Sequence, residues 1–141
     1  MTADEVAALL GLHPHPEGGF FRETFHDPAG DGGRGVSTAI YYLLRDGEVS
    51  AWHRVRDAAE VWHHYAGAPV ELALSVDGRS LETLRLGSGL AAGERPQAVV
   101  PAGAWQTARA AGGWALGGCT VAPAFEFSSV EMAPAGWAPG G

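Results

Sequence analysis

After one helical stretch at its start, the chain alternates hydrophobic and polar positions in short runs. Val6, Leu9 and Leu10 share a helical face, Thr2 and Glu5 form a capping box, and Gly11 supplies the stop, so a short helix is predicted within residues 1–11. Beyond it every apolar run is strand-like: residues 19–25, 36–44, 49–55, 60–65, 70–76, 81–86, 98–100, 105–108, 114–121 and 125–132. Gly, Pro and Asp punctuate these runs, and Asp77-Gly78 between two alternating segments is the strongest hairpin signal. Short strands at spacings of about 8–12 residues predict an all-β sandwich or barrel. We find no repeat or linker, so residues 1–141 are read as one domain, with the Pro/Gly/Ala-rich tail 133–141 expected to be loosely held.

Composition changes this picture in a few places. The 21 Gly and 9 Pro residues among 141 stay below the share of about 25–30% that marks disorder, and are assigned to turns. No apolar run approaches the roughly 18 residues of a membrane helix, and Met1-Thr2-Ala3-Asp4-Glu5 has no basic n-region, so no membrane partner and a cytoplasmic home are expected. All nine basic residues are Arg, which excludes chemistry that needs a lysine Schiff base. A net charge of −7 argues against a nucleic-acid partner. The single Cys119 cannot form an internal disulfide, and its apolar setting over residues 114–121 reads as a buried small residue rather than a nucleophile.

The candidate chemistry sits in three histidine groups. His13 and His15 with Glu17 offer ligand types at close spacing, but Pro14 and Pro16 fix an extended path that splays alternate side chains, and a rigid lead-in to the first strand is expected there. His26 stands alone. The third group is richer, because Gly47, His53, Val55, Glu60 and Gly67 follow the spacing Gly-x5-His-x-His-x3-4-Glu-x6-Gly, with Val55 at the second His. Pro101-Ala-Gly103-Ala-Trp-Gln106 follows Pro-x-Gly-x-x-His, with Gln106 at the ligand position. By these two motifs the chain resembles a cupin.

The resemblance narrows further. His15-Pro-Glu-Gly-Gly-Phe-Phe-Arg-Glu-Thr24, Ser37-Thr-Ala-Ile-Tyr-Tyr-Leu-Leu44, Trp52-His-Arg-Val55, Glu60-Val-Trp-His-His-Tyr-Ala-Gly67, Val100-Pro-Ala-Gly-Ala-Trp105 and Gly118-Cys-Thr-Val-Ala-Pro-Ala-Phe-Glu-Phe127 are similar, in order, to blocks of the cupin-5 family, a domain-of-unknown-function group of small single-domain cupins. That similarity implies a double-stranded β-helix, the jelly-roll barrel, commonly as a homodimer. It also implies a small-molecule pocket laid out like those of dTDP-sugar epimerases.

Metal-binding cupins present three His and one Glu. Here His53 and Glu60 remain with the carboxamide of Gln106, too few donors for tight transition-metal binding. Strand parity puts Trp62 and His64 on the face of Glu60, where Trp62 suits a wall for an organic ligand. No cofactor is therefore expected; the alternative is a divalent transition metal on His53, Glu60, His64 and Gln106. Without a metal, His53 becomes a general base tuned by Glu60, with Tyr65 or Tyr42 as proton donor. The competing reading of the same pair is a satisfied internal polar cluster. Arg22 and Glu126, each between aromatics, are expected to recognise a ligand carboxylate or phosphate or to pair with each other. Tyr42, Trp62, His64 and Gln106 complete the expected ligand wall.

Three functions stay open on this reading. The first is a metal-independent isomerase, epimerase or lyase for a small polar metabolite, sugar-like or carboxylated. The second is a non-catalytic binder of a small metabolite, and the third a metal-dependent dioxygenase.

Overall fold

A computed structural model describes residues 1–140. Helix α1 (Ala3–Leu10) starts as the capping box requires: Thr2 accepts from the Glu5 amide and the Glu5 side chain accepts from the Thr2 amide. Gly11, at φ 68°, ends it. The rest is strand: β1 (His13–Pro14), β2 (Phe20–Asp27), β3 (Ser37–Leu44), β4 (Val49–Val55), β5 (Ala59–Gly67), β6 (Val70–Ser75), β7 (Glu82–Leu86), β8 (Gln97–Val100), β9 (Trp105–Ala110), β10 (Ala115–Ala122) and β11 (Val130–Met132).

These strands form two sheets, ordered β1-β2-β3-β10-β5-β8 and β11-β4-β9-β6-β7. All their ladders are antiparallel. Alternation along β6 and β9 turns Val70, Leu72, Leu74, Ala108 and Ala110 inward, where they meet Tyr42, Leu44 and Trp62 of the facing sheet. Cys119, on the central strand β10, is buried in the same core.

Two expectations are corrected and one is met. Residues 125–132 do not form one strand, because side chains take the place of a ladder before β11. The Phe125 amide donates to Thr38 Oγ1 at 2.9 Å, the Ala124 carbonyl accepts from Arg34 at 2.8 Å, and a 3-10 turn fills Phe127–Ser129. Asp77-Gly78 does lie in a hairpin, the one that joins β6 to β7 as an antiparallel pair. One Asp77 oxygen accepts from the amides of Arg79 and Ser80, both at 2.8 Å, and stabilises its loop. The tail is anchored rather than loose: Trp137 packs 4.7 Å from Trp105 and 5.6 Å from Trp52, and the Gly140 amide donates to Gly78. Gly141 lies outside the described residues.

The segment between β1 and β2 places the site. Gly18 and Gly19 both have positive φ, and a Cβ would meet the Val49 carbonyl oxygen at 2.4 Å or the Tyr42 ring at 2.8 Å. Only glycine lets this turn lie flat on β3 and β4. The turn presses Glu17 inward, and the Glu17 carbonyl accepts from the Ala51 amide at 2.8 Å.

Candidate active site

His53 on β4 pairs in register with Gln106 on β9, while Glu60 and Trp62 share the inward face of β5. All four are buried. The indole N–H of Trp62 donates to Gln106 Oε1 at 2.9 Å, so the amide end of Gln106 must face Glu60, to whose Oε1 it donates at 2.7 Å. This half of the polar interior has fixed donors and acceptors.

The other half contains Glu17. Its Oε2 lies 3.1 Å from His53 Nε2, and His53 Nδ1 lies 2.7 Å from the Ala51 carbonyl. A carbonyl can only accept, so Nδ1 carries a hydrogen, and Nε2 can face a carboxyl oxygen at this distance only if one proton lies between them. The pair is imidazolium with carboxylate, or imidazole with carboxylic acid. Burial raises the Glu17 pKa, against the lowering effect of His53 and with a smaller push from Glu60, to about 7. The shared proton is therefore exchangeable near neutrality.

Neighbouring groups narrow the protonation states further. The Glu17 amide donates to His15 Nδ1 at 3.2 Å, so that nitrogen must be bare. Burial, with repulsion from His53 and then His13, drops the His15 pKa to about 4. Hence the 3.8 Å approach of His15 Nδ1 to Glu17 is not an ion pair at neutral pH. Burial holds the Tyr42 phenol well above its ordinary value, and its hydroxyl donates to the Gly18 carbonyl. Ser50, on β4 beside this group, is fully buried, and its hydroxyl helps hold the Glu17 and Tyr42 pKa values down against burial.

A cavity of about 50 Å³ opens against Glu17, His53, Glu60, Tyr42 and His15. A second chamber of about 120 Å³ shares His15, Glu17, Phe125 and Phe127 with it. A far larger open groove, about 720 Å³, crosses the outside of β6, β7 and β9. There Glu71 lies 3.5 Å from Arg85 and 3.1 Å from Arg109, and no lining side chain belongs to the His–Glu constellation. We place the site in the small barrel cavity for that reason.

Of the expected residues, the structure brings together His53, Glu60, Tyr42, Trp62 and Gln106. The partner of His53 is Glu17 and not Glu60, which corrects the acid–base pairing. Tyr65 is 53% exposed and stacks on His63 on the outer face of its sheet, so it does not face the cavity. His64 approaches the Ala68 carbonyl at 2.9 Å through Nε2 and does not line the cavity. Arg22 is exposed and donates to the Leu10 carbonyl at 3.1 Å, closing helix α1. Glu126 lies 3.8 Å from Arg34, so the Arg22–Glu126 pair does not form.

These placements do not fit the four-ligand metal set. Val55, at the second His position, is buried in an apolar cluster with Ala58, Val121, Phe125 and Val130. Both ends of Gln106 are engaged, and His64 faces elsewhere. Among the described residues no three His, Cys, Asp or Glu side chains are grouped to hold a metal ion.

Sequence reasoning missed Glu17 as the partner of His53. The extended path set by Pro14 and Pro16 ends at the Gly18-Gly19 turn, which folds Glu17 in; that Gly-Gly pair directly after Glu17 is the available signal.

Two antiparallel sheets closed over a buried His–Glu constellation, with the two motif positions 53 and 106 opposed across β4 and β9, define a cupin. The chain belongs to the Cupin_5 family, Cupin superfamily (DUF985), whose profile matches residues 4–133. It is similar to the protein SO0799 from Shewanella oneidensis, at 39% identity and a TM-score of 0.89 over 94% of this chain and 85% of that one. A hypothetical protein from Leishmania major follows at 27% identity and TM-score 0.81, over 94% of this chain and 88% of its own. KdgF from Halomonas sp. shares the fold at 15% identity and TM-score 0.61, over 83% and 88% of the two chains. No curated protein matches the sequence. Among the described residues no helix is long and apolar enough to cross a membrane.

Proposed function

We propose that this cupin is a metal-independent acid–base enzyme, an isomerase, epimerase or lyase for a small polar, sugar-like metabolite. The observation that carries the reading is the 3.1 Å contact between His53 Nε2 and Glu17 Oε2 at the cavity wall. When the shared proton passes to solvent near pH 7, the Nε2–Glu17 hydrogen bond is broken and the freed Nε2 lone pair is the base. It takes a proton from a carbon next to a carbonyl, and Glu17 then stabilises the imidazolium. Returning that proton to the carbon completes an isomerisation or epimerisation, whereas loss of a neighbouring leaving group completes a lyase reaction. Tyr42, whose hydrogen is committed to Gly18, positions the Glu17 turn.

The test is deuterium uptake from D2O, followed by proton NMR, in a panel of aldoses, ketoses and 2-hydroxy ketones. Wild-type protein is expected to label the carbon next to the carbonyl, and His53→Ala and Glu17→Gln to label it at least about a hundredfold more slowly. Equal rates in the His53→Ala protein overturn the assignment.

A second reading, a binder without turnover, is favoured by the chain of hydrogen bonds from Trp62 through Gln106 to Glu60, which fixes the Glu60 carboxyl at the cavity wall and suits holding a ligand. In that case His53→Ala lowers affinity and no panel member is labelled.

A further inference from the structure

We propose that the barrel cavity favours ligands that present neutral or cationic N–H donors, a small planar amine or amidine above all, over carboxylates and phosphates. This rests on the cavity being the ligand site, as in the reading above, but not on turnover within it. The lining holds the carboxyl groups of Glu17, Glu23 and Glu60 with two histidines, His15 and His53, and no arginine. Lysine is absent from the whole chain. Because Glu17 and His53 share one proton, a positive charge on His53 is matched by a negative charge on Glu17, and the pair presents no net cation to a ligand.

The arginines expected near an anion site are engaged elsewhere. Arg22 closes helix α1, and Arg34 binds the Ala124 carbonyl and Asp57. An entering carboxylate would lose its hydration, meet acceptor oxygens and find no fixed cation. A donor-bearing cation meets the reverse: carboxyl oxygens to accept its N–H groups and the aromatic faces of Phe21, Tyr42, Phe125 and Phe127 around it. Size adds a limit. About 50 Å³ is room for roughly four water-sized positions, so even a small ring fills it and reaches toward the chamber beyond Phe127.

Three probes of one shape test this by titration calorimetry at pH 7.5: 2-aminoimidazole, 2-aminothiazole and furan-2-carboxylate. We expect 2-aminoimidazole to bind at least tenfold more tightly than furan-2-carboxylate, with 2-aminothiazole between them. Glu17→Gln, isosteric with the protonated side chain, is expected to weaken 2-aminoimidazole at least tenfold and leave furan-2-carboxylate unchanged. Preference for furan-2-carboxylate overturns the proposal, as does the absence of saturable 2-aminoimidazole binding at millimolar concentration. Undiminished binding by Glu17→Gln overturns it too. The comparison of probes on wild-type protein needs no variant to fold. Deuterium uptake is read separately, so reversed charge preference leaves the acid–base reading standing, and absent uptake leaves the amine preference standing.

Discussion

The two halves of the barrel's polar interior differ in what they do with hydrogens. On the Gln106 side, the indole N–H of Trp62 orients the carboxamide, which orients Glu60, and every contact has an assigned donor. On the Glu17 side, the backbone fixes one hydrogen, on His53 Nδ1, and leaves the next to be divided between His53 Nε2 and Glu17. Motif positions occur in both halves, but only the second has a proton free to move. A cupin barrel with Val55 and Gln106 at two of the motif's ligand positions thus holds a rigid polar network and a movable proton side by side.

The largest expected effect separates the halves by stability. Gln106→Leu removes the acceptor of Trp62 and the donor to Glu60 together, stranding two buried polar groups, and is expected to cost about 3–5 kcal/mol. Urea unfolding should show a lower midpoint by a similar margin at pH 5 and pH 8. A loss that depends strongly on pH would mean that this half also carries a movable proton.

Next in size is the pH dependence of the other half. Glu17 has its folded pKa raised from 4.5 to about 7, so the folded state binds more protons than the unfolded one in that interval. Its contribution is fully present below pH 4.5 and lost as pH rises through 7, a fall of about 3 kcal/mol. His15 runs the opposite way. With its pKa lowered from 6.5 to about 4, its contribution is present above 6.5 and lost as pH falls through 4. Between these limits the two slopes oppose each other, and the wild-type curve should be nearly flat. Glu17→Gln removes one slope, so the variant should gain on wild type from pH 5 to pH 8 in urea midpoints. Parallel curves would show that Glu17 does not hold the proton.

Much of the first half was legible in the sequence, and less of the second. The alternation of β6 and β9 follows from Val70, Leu72 and Leu74 facing Gln106, Ala108 and Ala110, since period two has one solution when one face is buried. The spacing of His53, Glu60 and Gln106 likewise carried over, because each sits on a regular strand. Parity alone was not enough on β5 beyond Trp62: Tyr65 keeps the outward face of His63, on which it stacks, while the His64 ring turns to the Ala68 carbonyl where the register against β10 shifts, and does not reach the cavity. Glu17 was hidden for a different reason, as it lies on a turn whose path is set by two glycines and by contacts with β3 and β4, and periodicity says nothing about turns. Arg22 and Glu126 were placed between aromatics correctly, but which carbonyl or arginine they meet depends on helix α1 and the segment around Arg34, far away in sequence.

The smallest effect probes what holds the movable proton in place. Tyr42 reaches from β3 to the Gly18 carbonyl, and its phenol stays protonated because burial keeps its pKa well above 10.0. Tyr42→Phe deletes this hydrogen bond while keeping the ring against Trp62, 5.6 Å away, and is expected to cost about 1 kcal/mol. Since the phenol does not titrate in the working range, the loss in urea midpoint should be the same at pH 5 and pH 8. A loss confined to the higher pH would mean that the hydroxyl holds the Glu17 carboxylate and not the turn. The proton would then be divided among three groups, with Tyr42 a member of the acid–base set and not only its support.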